Sequence, residues 1–191
     1  VEGDKRTIRN IPLVAHRGLI TDRNGEPLAV STPVQSIWVD PSEMVDAPKV
    51  IGALAAALEL NPDVLTNSVS NHASSKFLSV KRRLAPADAK KVLDLNLSHV
   101  GAQQEYQRFY PQGEVTSHVI GFSNIDDVGQ EGLELTYNDW LSGTPGKRQI
   151  IQDRRGHILE ERQTIQPAEP GQNLSLSIDF QLQNLAYRSL N

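Results

Sequence analysis

Cysteine is absent from the 191 residues. That excludes disulfide frameworks, zinc–cysteine centres and cysteine nucleophiles, and it leaves the redox compartment unread. Aromatic residues are scarce at 5%, beside 38% apolar and 22% charged residues, the balance of a globular chain with a core of its own. A basic surplus is missing too: the formal net charge of −4 argues against a nucleic-acid partner, because phosphate is bound by clustered Lys and Arg. Lys81-Arg82-Arg83 and Arg154-Arg155 therefore read as solvated faces. The strongest apolar run, Val50 to Leu58, falls far short of the roughly 18–20 residues that span a bilayer, and no signal peptide opens the chain, which reads as soluble.

The marks of catalysis are equally thin. No serine has a lysine three residues on, Lys-Thr-Gly is absent, and the lone Ser-x-Asn, Ser189-Leu190-Asn191, reads as chance. His16, His72, His99, His118 and His157 are scattered without metal-ligand spacing, so neither a metal nor a cofactor is expected. Asp126, Asp127 and Glu131 lack the ligand alternation of a calcium loop and read as helix-capping carboxylates. Gly129-Gln130-Glu131-Gly132 matches no phosphate-binding loop. A glycosidase-type carboxylate pair drawn from Glu105, Glu131 and Glu134 stays open as a reading.

What is present is turn chemistry. Asp22-Arg23-Asn24-Gly25 lies between apolar residues and predicts a β-hairpin, since Asn and Gly tolerate the positive φ of a tight turn. Ile20 to Leu28 and Ile151 to Leu159 share the spacing Ile-x-Asp-Arg-x-Gly-x-x-Leu. It reads either as two related ribbons or as one good turn used twice.

Around these turns the chain predicts a lead-in strand or linker through Pro12 and a strand over 34–40 ended by Asp40-Pro41. Asp46-Ala47-Pro48 predicts a capped helix with Val50, Ile51, Leu54, Ala57 and Leu58 on its apolar face, and Asn61-Pro62-Asp63 a second one. A strand over 76–81 and a helix from Ala85-Pro86 complete a small α+β lobe inserted between sheet-forming segments. Beyond it come a strand from Val100 and a short helix over 113–120. A helix from Glu131 to Leu141 follows, carrying Leu133, Tyr137, Trp140 and Leu141 on one side and stopped by Gly143 as a C-cap glycine. Finally Leu174, Leu176 and Ile178 alternate as a strand, and Asp179 caps a helix with Leu182, Leu185 and Ala186 inward. The fold class is α+β, with one large or two small domains. Both ends read as cut from a longer chain, and the last helix is expected to fray for want of a partner.

Several blocks together resemble the N-terminal, non-catalytic region of class B penicillin-binding proteins, in particular the division-specific type. They are Arg17-Gly18-Leu19-Ile20-Thr21-Asp22-Arg23-Asn24-Gly25, Arg108-Phe109-Tyr110-Pro111-Gln112-Gly113, His118-Val119-Ile120-Gly121-Phe122, Gly129-Gln130-Glu131-Gly132-Leu133-Glu134, Leu141 to Gly146, and Asp153-Arg154-Arg155-Gly156. Leu174 to Gln183 resembles the first strand and helix of the family's transpeptidase domain, and Glu2-Gly3-Asp4 the segment after its single membrane-spanning helix.

The resemblance implies an elongated pedestal of β-ribbons. In this division, 1–45 is a membrane-proximal stalk with the first hairpin, 46–100 the inserted helix-rich lobe, 101–168 the rest of the pedestal with the second ribbon, and 169–191 the start of a truncated transpeptidase domain. It implies a location on the periplasmic face of the bacterial inner membrane, and no catalysis or β-lactam binding by this stretch alone. Its implied partners are the septal glycosyltransferase, other division-machinery membrane proteins and the downstream transpeptidase domain. The implied partner-binding or structural network comprises Gly3, Arg17, Gly18, Asp22, Arg23, Gly25, Arg108, Glu131, Glu134 and Arg154. Alternatives are the same module from the elongation-specific paralogue, or a stand-alone wall hydrolase.

Overall fold

The computed structural model describes residues 7–152 and 158–190. Strand β1 (Thr7–Leu13) leads to β2 (Ile20–Thr21) and the long β3 (Pro27–Val39). Three helices follow, α1 (Pro41–Met44), α2 (Pro48–Ala57) and α3 (Pro62–Asn71), then β4 (Leu78–Leu84), α4 (Pro86–Leu93) and β5 (Val100–Phe109). A 3-10 turn (Gly113–Val115) precedes the short helices α5 (Ser117–Ile120), α6 (Gly132–Thr136) and α7 (Asn138–Leu141). The chain closes with β6 (Gly146–Gln152), β7 (Ile158–Gln166), β8 (Leu174–Ser175) and α8 (Phe180–Leu190). The mixed α+β class matches the sequence reading.

Two compact units are formed. The first takes Val34–Glu105 with the described parts of Val1–Ile11 and Arg148–Ile165; the second takes Pro12–Pro33, Tyr106–Lys147 and the described part of Gln166–Asn191. The hairpin strand and the strand expected over 34–40 are one element, β3, which gives 27–33 to the second unit and 34–39 to the first. Pro33 does not break it, because the proline φ fits an extended chain and costs only a ladder donor.

In the first unit helices and strands share one buried core. β3 and β4 run antiparallel with Ile37 opposite Lys81 and Val39 opposite Leu78, β5 also pairs with β3, and β1, β6 and β7 form a separate sheet in the order β1-β6-β7. Ile37, Val39, Leu54, Leu58, Val69 and Val92 belong to one buried core. On α2 the inward positions are Ile51, Leu54 and Ala55, with Leu58 just beyond; Ala57 faces out, a one-residue rotation of the expected face. Asp46 does not cap α2. Ala47 holds that position without a side-chain bond, and Pro48 at the first turn alone removes one orphan donor. Asn61 does cap α3, its Oδ1 accepting from Asp63 N at 2.8 Å. Lys81 Nζ donates to the Leu58 carbonyl at 2.7 Å and satisfies one acceptor at the end of α2.

The second unit has its own core of Ile20, Leu28, Ala29, Ile120 and Leu141, with Tyr110, Leu133, Leu174, Leu176 and Phe180 against it. β2 lies antiparallel to β3, with Ile20 opposite Ala29, and parallel to β8, with Ile20 opposite Leu174. Gly25 has φ +84°, the left-handed conformation for which the turn selects glycine.

Three expectations fail here. The helix over 131–141 is two helices broken at Tyr137, so Leu133 and Leu141 join the core while Tyr137 and Trp140 point out, 42% and 50% exposed. Gly143 is no left-handed cap. It allows the Ala15 side chain and the Glu169 carbonyl to come within 2.5 Å of where a Cβ would stand. On α8, Asp179 does cap, taking Gln181 N at 3.0 Å and Leu182 N at 3.2 Å. Its Leu182 and Leu185 nevertheless face outward, 63% and 64% exposed, because periodicity defines an apolar face but not what covers it.

Candidate functional site

Two polar centres lie in the second unit. The first is a buried ionic triad. Arg17 follows His16 on the way into β2, and its Nε donates to Glu134 Oε2 at 2.6 Å while its Nη2 donates to the Glu134 carbonyl at 2.7 Å. Arg17 Nη1 donates to Ser142 Oγ at 2.8 Å, Asn138 Oδ1 at 3.0 Å and the Asp127 carbonyl at 3.1 Å. From β5, Arg108 Nε reaches the other carboxylate oxygen, Glu134 Oε1, at 2.7 Å, and its Nη1 donates to Ser31 Oγ at 3.2 Å.

Glu134 is completely buried, and Arg17 and Arg108 nearly so. The break between α6 and α7 matters here. It frees Asn138 at the start of a new helix to accept from both Arg17 and Gly129 N.

With two guanidinium groups on one carboxylate, the triad buries a formal excess of one positive charge, and Arg108 Nη2 has no hydrogen-bond partner among the described residues. Such an arrangement is held by geometry, since desolvation cancels much of the attraction while removal of one member strands a charge. Tyr110 leans on it: its hydroxyl lies 3.5 Å from Glu134 Oε1 and accepts from Ser123 N at 2.9 Å. Burial raises the Tyr110 phenol pKa above its ordinary value, and the negative Glu134 adds to that against the opposing Ser123 bonds.

The second centre is the hairpin turn. Asp22, almost wholly buried, accepts from Asn24 N at 2.7 Å and Glu26 N at 2.8 Å through Oδ1, and from Phe180 N at 3.1 Å through Oδ2. Burial disfavours its charged form, but the bonds from Phe180, Glu26 and Asn24 outweigh that and leave its pKa below the ordinary aspartate value. Arg23 donates from its backbone N to the Ile178 carbonyl at 2.9 Å and from Nε to the Ser177 carbonyl at 3.0 Å. Asn24 Nδ2 reaches Asp179 Oδ2 at 3.3 Å. One turn therefore holds the segment running from β8 into α8.

Of the network that the resemblance implied, the structure brings Arg17, Arg108 and Glu134 together, and separately gathers Asp22, Arg23 and Gly25 at the turn. Gly18 sits with the Gln172 carbonyl where its Cβ would be. Glu131 is exposed, outside both centres. Gly3, Arg154 and the rest of the Asp153-Arg154-Arg155-Gly156 turn lie outside the described residues. Ser31 and Asn138, which also contact the triad, were singled out for no role in the sequence, and Tyr110 and Ser142 entered only as members of the resembling blocks, with no role of their own.

Neither centre is arranged for group transfer. Both Glu134 oxygens face guanidinium groups, and Glu105 is paired with Arg82 at 3.0 Å in the first unit. Among the described residues no cluster of His, Asp and Glu has the makings of a metal site, and no helix is long and apolar enough to cross a membrane.

The profile of the Penicillin-binding Protein dimerisation domain matches residues 12–176. The chain belongs to that family. It is 43% identical over 99% of its length to the probable peptidoglycan D,D-transpeptidase PbpC of Pseudomonas aeruginosa, covering 34% of that protein. To the peptidoglycan D,D-transpeptidase FtsI of Escherichia coli it is 42% identical over 100% of its length, covering 33%. The chain thus spans about a third of the curated relatives it matches, and corresponds to the N-terminal region of class B penicillin-binding proteins. Among solved structures, the fold is shared with the penicillin-binding protein PBP2 in its complex with MreC from Helicobacter pylori, at TM-score 0.70, 23% identity, 95% coverage of this chain and 38% of that one. A peptidoglycan synthetase from Bifidobacterium adolescentis is similar at TM-score 0.61 and 24% identity, with 96% of this chain and 38% of that one covered.

Proposed function

We propose that the chain is the non-catalytic pedestal of a septal peptidoglycan D,D-transpeptidase. In this reading it stands on the periplasmic face of the inner membrane, positions a transpeptidase domain and docks partners of the division machinery, the septal glycosyltransferase among them. The observation that carries it is the grip of the Asp22–Glu26 turn on the segment from Ser175 to Phe180, which resembles the opening of the transpeptidase domain. A carboxylate that ties a hairpin to the first residue of a helix fixes where that helix begins. The triad then keeps β5, α6 and the approach to β2 from shifting beneath it.

The septal assignment draws on the relatives named FtsI, 42% identical in Escherichia coli, and on Ile37-Trp38-Val39-Asp40-Pro41. The elongation-type alternative draws on the PBP2 neighbour, whose 23% identity speaks for the fold alone. Absence of catalysis in this stretch follows, in this reading, from its lack of Ser-x-x-Lys and Lys-Thr-Gly.

The test is a fluorescent fusion of the full-length parent in cells depleted of their division transpeptidase. A midcell ring and restored division support the septal reading; a sidewall pattern with continued filamentation overturns it. Asp22→Ala in the same fusion is expected to keep the ring and lose much of the rescue, whereas full rescue sinks the positioning role.

A further inference from the structure

A groove of about 520 Å³ runs along the second unit beside α5, lined by Tyr110, Ile120, Phe122, Glu114 and Glu131 among others. Its volume is within the range of natural ligand sites, roughly 300–1,000 Å³. The floor is apolar and fixed. Ile120 belongs to the core, and the Tyr110 ring is tethered through its hydroxyl to Ser123 N.

The walls are equally set. Gly121 (φ +74°) and Gly132 (φ +59°) bring α5 against the turn before α6, with the Glu131 carbonyl occupying the place of a Gly121 Cβ. A groove built this way needs little ordering when it is filled.

The formal charges on the rim are negative, and His118 is the one basic-type side chain among the lining residues. Glu114 and Glu131 are both exposed, and no Lys or Arg lines the groove. The exposed Glu114 accepts from the Tyr187 hydroxyl through Oε2 at 3.1 Å. Phe122 at the lip is 48% exposed, and Val119, three residues before it on the same stretch, 42%.

From this juxtaposition we infer that the groove docks a cationic, apolar-anchored segment of a partner protein. An apolar side chain of the partner enters between Tyr110, Ile120 and Phe122, and flanking Lys or Arg residues meet the Glu114 and Glu131 carboxylates. The negative rim selects against acidic segments, and the net charge of −4 attracts basic ones at longer range. The inference rests on the reading of the chain as an interaction module, but not on its septal assignment.

The experiment is fluorescence anisotropy of the 191-residue chain with a labelled peptide alternating Leu and Arg. Two companion peptides have Glu in place of Arg, or Ser in place of Leu. Saturable binding that weakens as salt rises from about 0.05 to about 0.3 M is expected, as for an exposed charge contact. Glu131→Lys and Phe122→Ser should each weaken it about tenfold, and both companion peptides should fail.

Glu43→Lys, the same charge change in the first unit, should leave binding as it was, and circular dichroism checks that each variant is folded. The inference is overturned by no saturable binding, by Glu43→Lys weakening it as much as Glu131→Lys, or by equal binding of the Glu peptide. None of these outcomes depends on where the parent protein localises, so this inference and the septal reading fail separately.

Discussion

Glu134 is the residue on which the second unit depends most. Both of its oxygens are charge-paired and its side chain is closed to water. Glu134→Gln strands two guanidinium groups in the interior, and breaking a buried pair of this sort costs about 3–5 kcal/mol. Urea unfolding of the variant is expected to show a loss of that size; a loss below about 1 kcal/mol, the level of an exposed pair, would mean that water reaches the triad.

Asp22 behaves differently, because its partners are backbone donors. Its folded pKa lies below the ordinary value of 3.8. Between the two values the unfolded chain binds more protons than the folded one, so stability rises with pH there. The contribution is complete above the ordinary aspartate value and is lost as pH falls through the folded one. Asp22→Asn is therefore expected to flatten the acid limb of a stability–pH curve measured by denaturant midpoint, and an unchanged limb would assign that dependence to other carboxylates.

The sequence showed the Asp22 turn plainly, since Asp and Asn-Gly act on neighbours within a few residues. The triad was beyond its reach: Arg17 and Glu134 are 117 positions apart, Arg108 and Glu134 26. The family resemblance grouped all three with Asp22, Arg23 and Glu131, and only the fold separates a buried pair network from a turn clamp and an exposed rim.

At the scale of elements, local signals were sound where a residue acts through its own backbone. Asn61 caps α3 and Asp179 caps α8, as their positions before each helix suggest. The failures arose where tertiary contacts decide. Asp46 precedes Ala47-Pro48 in the pattern of a cap, yet Ala47 occupies the position. Tyr137 interrupts an apolar period that reads as one helix, since Asn138 is needed as an acceptor for Arg17.

The period of α2 was right to within one residue, and it buries Leu54 completely in the core of the first unit. Leu54→Ala should cost about 2–5 kcal/mol, the range for deleting a leucine side chain from a packed site. Hydrogen exchange provides the check: faster exchange in α2, α3 and β4 with the Asp22 turn unchanged is expected if the units open separately, and uniform acceleration through 174–180 would show that they open as one.

At the scale of the whole molecule, the notable fact is the path of the chain. β3 and β5 each begin in one unit and finish in the other, and every unit is assembled from three separate stretches of sequence. Residues 46–100 accordingly share their unit with strands on either side of them.

That path has a consequence for biogenesis. A ribosome delivers residues in order, so the first unit lacks the described part of Arg148–Ile165 and the second the described part of Gln166–Asn191 until nearly all of this stretch has been made. Neither can close early on the other's behalf, and contacts between distant positions slow folding further. A nascent chain built this way stays open for most of its synthesis.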